Sequence, residues 1–331
     1  MPNRLAHRRT AVALGTGLTT AVLLTACGSS AGGSTEETAP KGAAGKNKRI
    51  NLGPDQKRIT TRKADSVAAL VPRKIRERGT LEVVNSAGSA PPLTFYATDD
   101  KTVIGVEPDI ASLIADVLGL ELRSHTVDWA NIFVGLDSGK YDAGISNITV
   151  TEERKEKYDF ATYRLDNLAF ETKKGSGWKA RGPKDVAGKT IGVSSGTNQE
   201  KLLVTWSKKN VKKGRKATDI KYYEKPTDYY LALTSGRLDA YLGPSPVAAY
   251  HSATTGQTEV VGTYSGGGAG LQGKIAATTK KNNGLVEALH KALETVIRNG
   301  TYAKVLERWG LSAEAVEKSE RNPEGLPKTN S

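Results

Sequence analysis

Two stretches of this sequence gather polar groups suited to holding a small anion. The first, Ser194-Ser195-Gly196-Thr197-Asn198, follows a short apolar run and opens a predicted helix. The unpaired N–H groups and dipole of a helix start favour an anion there. The same residues also suit an ordinary capped helix start. The second stretch runs Ser146-Asn147-Ile148-Thr149-Val150-Thr151-Glu152-Glu153-Arg154. Thr151 is placed to cap a short helix, with Arg154 one turn on. A guanidinium there would grip a carboxylate through two parallel hydrogen bonds, or would pair with a local acid on the surface. Asn147 and Thr149 add an amide and a hydroxyl to the same segment. Trp129 and Phe133, four residues apart, share one face of a predicted helix. Trp129 is placed to stack on a ligand, and Phe133 is expected in the core.

Other patterns carry no chemistry. Gly192-Val193-Ser194-Ser195-Gly196 fits G-x-S-x-G, yet a hydrolase also needs a downstream acid and histidine, and His251 and His290 stand in no supporting pattern. Gly188-Lys189-Thr190 precedes a strand, where a phosphate-binding loop precedes a helix. The run Gly266 to Gly270 does not match a dinucleotide fingerprint. With one cysteine and four scattered histidines, no disulfide, metal site or cofactor is expected.

The length of 331 residues allows two lobes, and 37% hydrophobic residues exclude wholesale disorder. The net charge of +13 is unevenly spread: +3 lies in residues 1–26, +5 in residues 28–63, and only +5 in the rest. No basic stripe interleaved with aromatics appears, so a nucleic-acid partner is not expected. The N-terminus reads as an address. Arg4, Arg8 and Arg9 precede an uncharged stretch ending Leu24-Thr25-Ala26-Cys27, the layout of a secretion signal closing in a lipobox. Residues 1–26 are then a signal peptide, Cys27 carries the lipid, and residues 27–65 form a flexible basic tether. The protein would sit outside the cytoplasm, anchored to the outer face of the membrane.

The elements that must position the polar stretches recur at an offset of 97 residues. Leu136-Asp-Ser-Gly-Lys-Tyr-Asp-Ala-Gly-Ile145 matches Leu233-Thr-Ser-Gly-Arg-Leu-Asp-Ala-Tyr-Leu242. In each, Ser-Gly ends a helix and Asp-Ala opens a buried strand. Strand-like runs at 79–84 and 188–193, helices at 107–118 and 198–209, and strands at 121–127 and 219–223 complete two βαβαβ units. Each folds as a parallel sheet with helices on both faces. The expected architecture is α/β with two lobes: residues 66–170 with 271–331 form lobe 1, and residues 171–270 form lobe 2. Two crossings, near 168–173 and 269–274, act as the hinge. Beyond Leu311 the chain is expected to fray into a polar tail.

These pieces resemble the solute-binding proteins of ABC importers, in the family-3 branch that binds polar amino acids. The resemblance covers roughly residues 90–311. It includes Pro91-Pro92-Leu93, Gly105-Val-Glu-Pro-Asp-Ile110, Asp128-Trp129, Thr149-Val-Thr-Glu-Glu-Arg154, Tyr158-Asp-Phe160, Ser195-Gly-Thr197, both Ser-Gly…Asp-Ala elements and Ser245-Pro-Val-Ala-Ala249. It implies a type II periplasmic-binding-protein-like fold, working as a monomer without cofactor or catalysis. It also implies that Arg154 grips the ligand α-carboxylate, with help from Thr149, the helix start at Thr197 and the N–H of Asn198, while Trp129 packs on the ligand side chain. Hinge closure then signals a loaded protein to the permease and ATPase subunits. One position departs: where the family places the aspartate that binds the α-ammonium, this chain has Pro244. An aromatic usual near the start of the match is replaced by Ala90. The expected ligand is therefore a small carboxylate-bearing solute, an amino acid or a relative of one. The alternatives are a dehydratase-like enzyme on the same scaffold and a binding protein that reports to a sensor.

Overall fold

The computed structural model describes residues 50–86, 90–266 and 270–328. Cys27, the signal peptide and the tether up to residue 49 lie outside the described residues. The remainder of the expected tether behaves differently from a free linker. Ile50, Leu52 and Ile59 pack on the core of lobe 1. The Arg58 guanidinium donates to Ser112 Oγ at 2.8 Å, and Ala64 N–H donates to the Val117 carbonyl at 2.9 Å. Three well-spaced aliphatics among polar residues are enough to seat this segment, and no helical or strand period announces it.

Two short helices follow, α1 (Asp65–Ala68) and α2 (Arg73–Arg78), then β1 (Thr80–Asn85), the small hairpin β2 (Phe95–Tyr96) and β3 (Val103–Ile104), and α3 (Val106–Leu118). Next come β4 (Glu121–Thr126), α4 (Trp129–Ser138), β5 (Ala143–Gly144) and the 16-residue β6 (Tyr158–Lys173). Lobe 2 contains β7 (Thr190–Val193), α5 (Asn198–Lys212), β8 (Asp219–Tyr222), α6 (Pro226–Thr234), β9 (Ala240–Pro244), α7 (Ser245–Thr255) and β10 (Thr258–Ser265). The chain returns through β11 (Gly273–Lys280), α8 (Val286–Arg298) and α9 (Thr301–Arg308).

The two βαβαβ units are present, with β1 parallel to β4 and β5, and β7 parallel to β8 and β9. Antiparallel strands join them, so the sheets are mixed. Strand order runs β4-β1-β5-β11-β6-β9-β7-β8, with β10 also on β6. A single strand thus serves both lobes. β6 pairs with β11 up to Asp166, then with β10 from Asn167 and β9 from Leu168.

The repeated sequence element does the same job twice. Gly139 and Gly236 take the left-handed conformation that terminates a helix, at φ 72° and 77°. The aspartate that follows turns back to the neighbouring parallel strand. Asp142 accepts the Glu82 N–H at 2.8 Å and pairs with Arg78; Asp239 accepts the Thr190 N–H at 2.8 Å and pairs with Lys189. Each aspartate thus satisfies a backbone donor on the neighbouring parallel strand.

The C-terminal segment is a strap, not a frayed tail. Glu320 exchanges hydrogen bonds with Thr162, Asn322 N–H donates to the Phe160 carbonyl at 2.9 Å, and Leu326 exchanges backbone bonds of 2.9 Å with Val150 and Glu152. Its prolines and charges hid this, because the contacts are made by backbone groups rather than by an apolar stripe. Gly325 lies so close that a Cβ there would stand 2.8 Å from the Thr151 carbonyl carbon. Gly325→Ala should therefore destabilise the protein by about 1–3 kcal/mol. Urea unfolding checks this, and an unchanged midpoint would mean the strap is not seated on residues 150–152.

Candidate functional site

Every parallel strand delivers its carboxyl end to one cleft between the lobes, as open α/β sheets do. Ser86 follows β1, Asp128 and Trp129 follow β4, and Ser146 and Asn147 follow β5. From the other lobe, Ser194 and Ser195 follow β7, Glu224 follows β8, and Pro244 ends β9. The cavity they line holds about 520 Å3.

Of the residues expected at the site, Trp129, Asn147, Ser195, Thr197 and Asn198 line this cavity directly. Arg154 stands beside it, in the gap between the lobes. Its guanidinium carbon lies 5.5 Å from the Trp129 ring centre and 5.2 Å from that of Phe133. Its Nη1 donates to the Thr149 carbonyl at 2.9 Å, and its Nη2 reaches the Gly196 carbonyl of the facing lobe at 3.4 Å. Arg154 makes none of the described ion pairs, so the alternative of a surface salt bridge to a local acid is not the arrangement found. Desolvation lowers its pKa to about 10, with Asp166 opposing the shift, so it stays cationic at neutral pH.

Phe133 packs against a core cluster as expected, and it faces the cleft as well. It is half-buried and lines the cavity, edge-on to Trp129 at 5.4 Å between ring centres. The i,i+4 spacing correctly put the two rings together, but periodicity cannot tell a core face from a cleft face.

The helix-start corner is both things the sequence allowed. Thr197 Oγ1 caps α5, accepting the Glu200 N–H at 3.2 Å and donating to the Ser194 carbonyl at 2.7 Å. Its hydroxyl is therefore engaged, which leaves the first-turn N–H groups of Asn198 and Gln199 without an intrahelical acceptor. Thr149 Oγ1 is buried between Asp166 Oδ2 at 2.9 Å and Asn198 Oδ1 at 3.1 Å, and Asn198 Nδ2 donates to the same Asp166 oxygen at 3.0 Å. This knot ties lobe 1, β6 and α5 at the cleft floor. Asn147, at φ 51°, gives its amide oxygen to buried Arg164, leaving its NH2 for the cavity. Arg164 is held in turn by Glu107 and Glu314.

Sequence reasoning missed the aromatic wall of lobe 2. Tyr229 stacks on Tyr241 with ring centres 3.7 Å apart, and Tyr241 Oη lies 2.9 Å from Ser194 Oγ. It also missed Glu224, although its place just past the end of β8 was the available signal. Glu224 and Asp128 are exposed carboxylates on opposite lobes, in no ion pair among the described residues. The G-x-S-x-G serine is no nucleophile by geometry: Ser194 Oγ is engaged with the Tyr223 carbonyl and Tyr241, and His251 is bonded to Glu171 instead.

Burial raises the pKa of Asp166, against the pull of Thr149, Arg164, Arg154 and Asn198. Between the ordinary value of 3.8 and the raised one, the folded state holds a proton that the unfolded chain has lost. Stability is then lost as pH rises through that window. Asp166→Asn should flatten this part of the stability curve. Thermal melts from acid to neutral pH test it; superimposable curves for the two proteins would show that Asp166 carries no such penalty.

The family model for bacterial extracellular solute-binding proteins, family 3, matches residues 83–312. The L-cystine-binding protein TcyJ of Escherichia coli K12 is 32% identical over 237 residues, covering 71% of this chain and 84% of its own length. Among solved structures, an ancestral arginine-binding protein bound to arginine shares 30% identity at a TM-score of 0.62, covering 70% of this chain and 98% of that one. The ancestral amino acid-binding protein AncCDT-1, a precursor of cyclohexadienyl dehydratase, shares 26% at 0.61, covering 71% and 97%. With two βαβαβ lobes, a cleft at their strand ends and a match across both, this chain belongs to the bacterial extracellular solute-binding proteins, family 3.

Proposed function

We propose that this chain captures an amino acid by its α-carboxylate, in the cleft between the lobes, and presents it to an ABC permease without turning it over. One observation carries the reading: Arg154 stays charged and in no ion pair among the described residues, in the gap between the lobes, beside two aromatic rings and opposite the start of α5. A carboxylate arriving there gains a bidentate cation from lobe 1 and first-turn N–H groups from lobe 2. Such a ligand binds the closed pair of lobes better than either lobe alone, and so shifts the population toward closure.

Pro244 has no group for the ligand ammonium, and Glu224 is the substitute we favour. It lines the same cavity on the same lobe, two strands away across β7, and its carboxylate is in no ion pair among the described residues. With Asp128 facing it from lobe 1, the cavity suits a ligand with more than one cationic nitrogen, as cystine and arginine both have. Those are the amino acids in the names of the relatives above. Export by the N-terminal signal, lipidation at Cys27, tethering to the outer face of the membrane and a monomeric state complete the proposal.

Calorimetry with L-cystine and L-arginine tests it. Arg154→Ala should weaken binding of the ligand that is taken up by ~1.5–3 kcal/mol. Full-strength binding by that variant removes Arg154 from the site. Glu224→Gln should weaken binding more than Asp128→Asn; the reverse order would move the ammonium contact to lobe 1. The dehydratase-like alternative, motivated by the likeness to AncCDT-1, needs a general acid acting on bound ligand. Mass spectrometry of ligand after long incubation decides this, since any conversion would refute a purely binding role. Uptake by a deletion strain separates import from sensing.

A further inference from the structure

The far pole of lobe 2 concentrates positive charge that the cleft does not use. Helix α5 starts in the cavity at Asn198 and runs about 22 Å away from it over its 15 residues. Its last turns and the loop beyond carry Lys208, Lys209, Lys212, Lys213, Arg215 and Lys216, all exposed. There is no acid between them in sequence. The turn before β7 packs against this end, with Asn210 Nδ2 donating to the Pro183 carbonyl at 2.5 Å, and brings exposed Arg181 and Lys184 alongside. Strand β6 ends at the same pole with exposed Lys173 and Lys174. None of these side chains is in an ion pair or side-chain hydrogen bond among the described residues. The nearby acids are engaged: Asp185 accepts the Arg181 N–H, Glu259 accepts the Gly175 N–H, and Asp219 pairs with Lys221.

Residues 64–331 together carry only +5, so this pole is a local excess rather than a share of a uniformly basic surface. Like charges held this close repel, and an anionic partner removes the repulsion. We infer that the lobe 2 pole docks on a membrane surface rich in anionic phospholipid headgroups. The patch is mostly lysine, a mobile point charge suited to diffuse headgroups rather than to fixed bidentate contacts. Val211, 54% exposed in its midst, offers an apolar tip to the interface. No exposed aromatic ring stands among these lysines to stack on a nucleic-acid base. The choice of a membrane rests on the exported, anchored protein proposed above; the docking itself does not involve the amino acid ligand.

Sedimentation of the full chain with vesicles tests this apart from ligand binding. Bound fraction is compared between phosphatidylcholine alone and the same lipid with about one-quarter phosphatidylglycerol. The anionic vesicles should bind roughly ten-fold better at low salt, and the gain should vanish in about 0.5 M salt. A variant combining Lys208→Gln, Lys209→Gln, Lys212→Gln, Lys213→Gln, Arg215→Gln and Lys216→Gln should lose the gain while melting like the parent. A second variant, Lys41→Gln, Lys46→Gln, Lys48→Gln and Arg49→Gln, should keep most of it. The inference is overturned if the first variant binds like the parent, if the second loses the gain instead, or if duplex DNA competes the parent off the vesicles at lower phosphate concentration than free phosphatidylglycerol vesicles do.

Discussion

A knot of charge on one strand governs this molecule. β6 is the strand common to both sheets, and at its hand-over it buries Arg164 and Asp166 two residues apart. Neither group is tolerable there alone, because an unpaired buried charge costs several kcal/mol. The two terminal nitrogens of Arg164 are held by Glu107 from α3, Glu314 from the C-terminal strap and Asn147 from the cleft wall, while its Nε has no hydrogen-bond partner. Asp166 is satisfied by Thr149 from lobe 1 and Asn198 from lobe 2. The need to neutralise two side chains therefore recruits both lobes, the strap and the cleft wall into one arrangement.

That arrangement explains why the site is split between lobes. Arg154 sits a few residues from Thr149, in a loop that the strap clamps through Leu326. The opposing N–H groups belong to α5, whose first residue is already tied to Asp166. On the reading proposed above, a carboxylate entering the gap would meet partners already held on both sides. Among the described residues the chain passes between the lobes along β6, and Gly266 N–H donates to the Asp166 carbonyl at 2.8 Å beside that hand-over.

The strap and the segment from Ile50 to Ala64 lie outside residues 83–312, where the family pattern is matched. Both pack on lobe 1. Lobe 1 is thus braced from two sides, whereas lobe 2 has a bare, strongly basic pole. The asymmetry is one of packing: lobe 1 carries Arg154 and both of these flanking segments, and lobe 2 carries the start of α5.

The sequence by itself determined the two βαβαβ units, because the repeated Ser-Gly…Asp-Ala element encodes a helix stop, a turn and a strand start locally. It also determined which loops reach the cleft, because strand ends in such sheets converge by topology. Trp129, Asn147, Ser195, Thr197 and Asn198 were legible on those grounds. Tertiary structure alone decided the rest. Glu224, Tyr229 and Tyr241 enter the cavity through the juxtaposition of strands distant in sequence, and Phe133 faces it although its spacing fits a core face equally well. The strap and the Ile50–Ala64 segment are fixed by backbone hydrogen bonds and scattered apolar contacts to residues far along the chain. Such contacts leave no periodic trace, so no local pattern could have announced them.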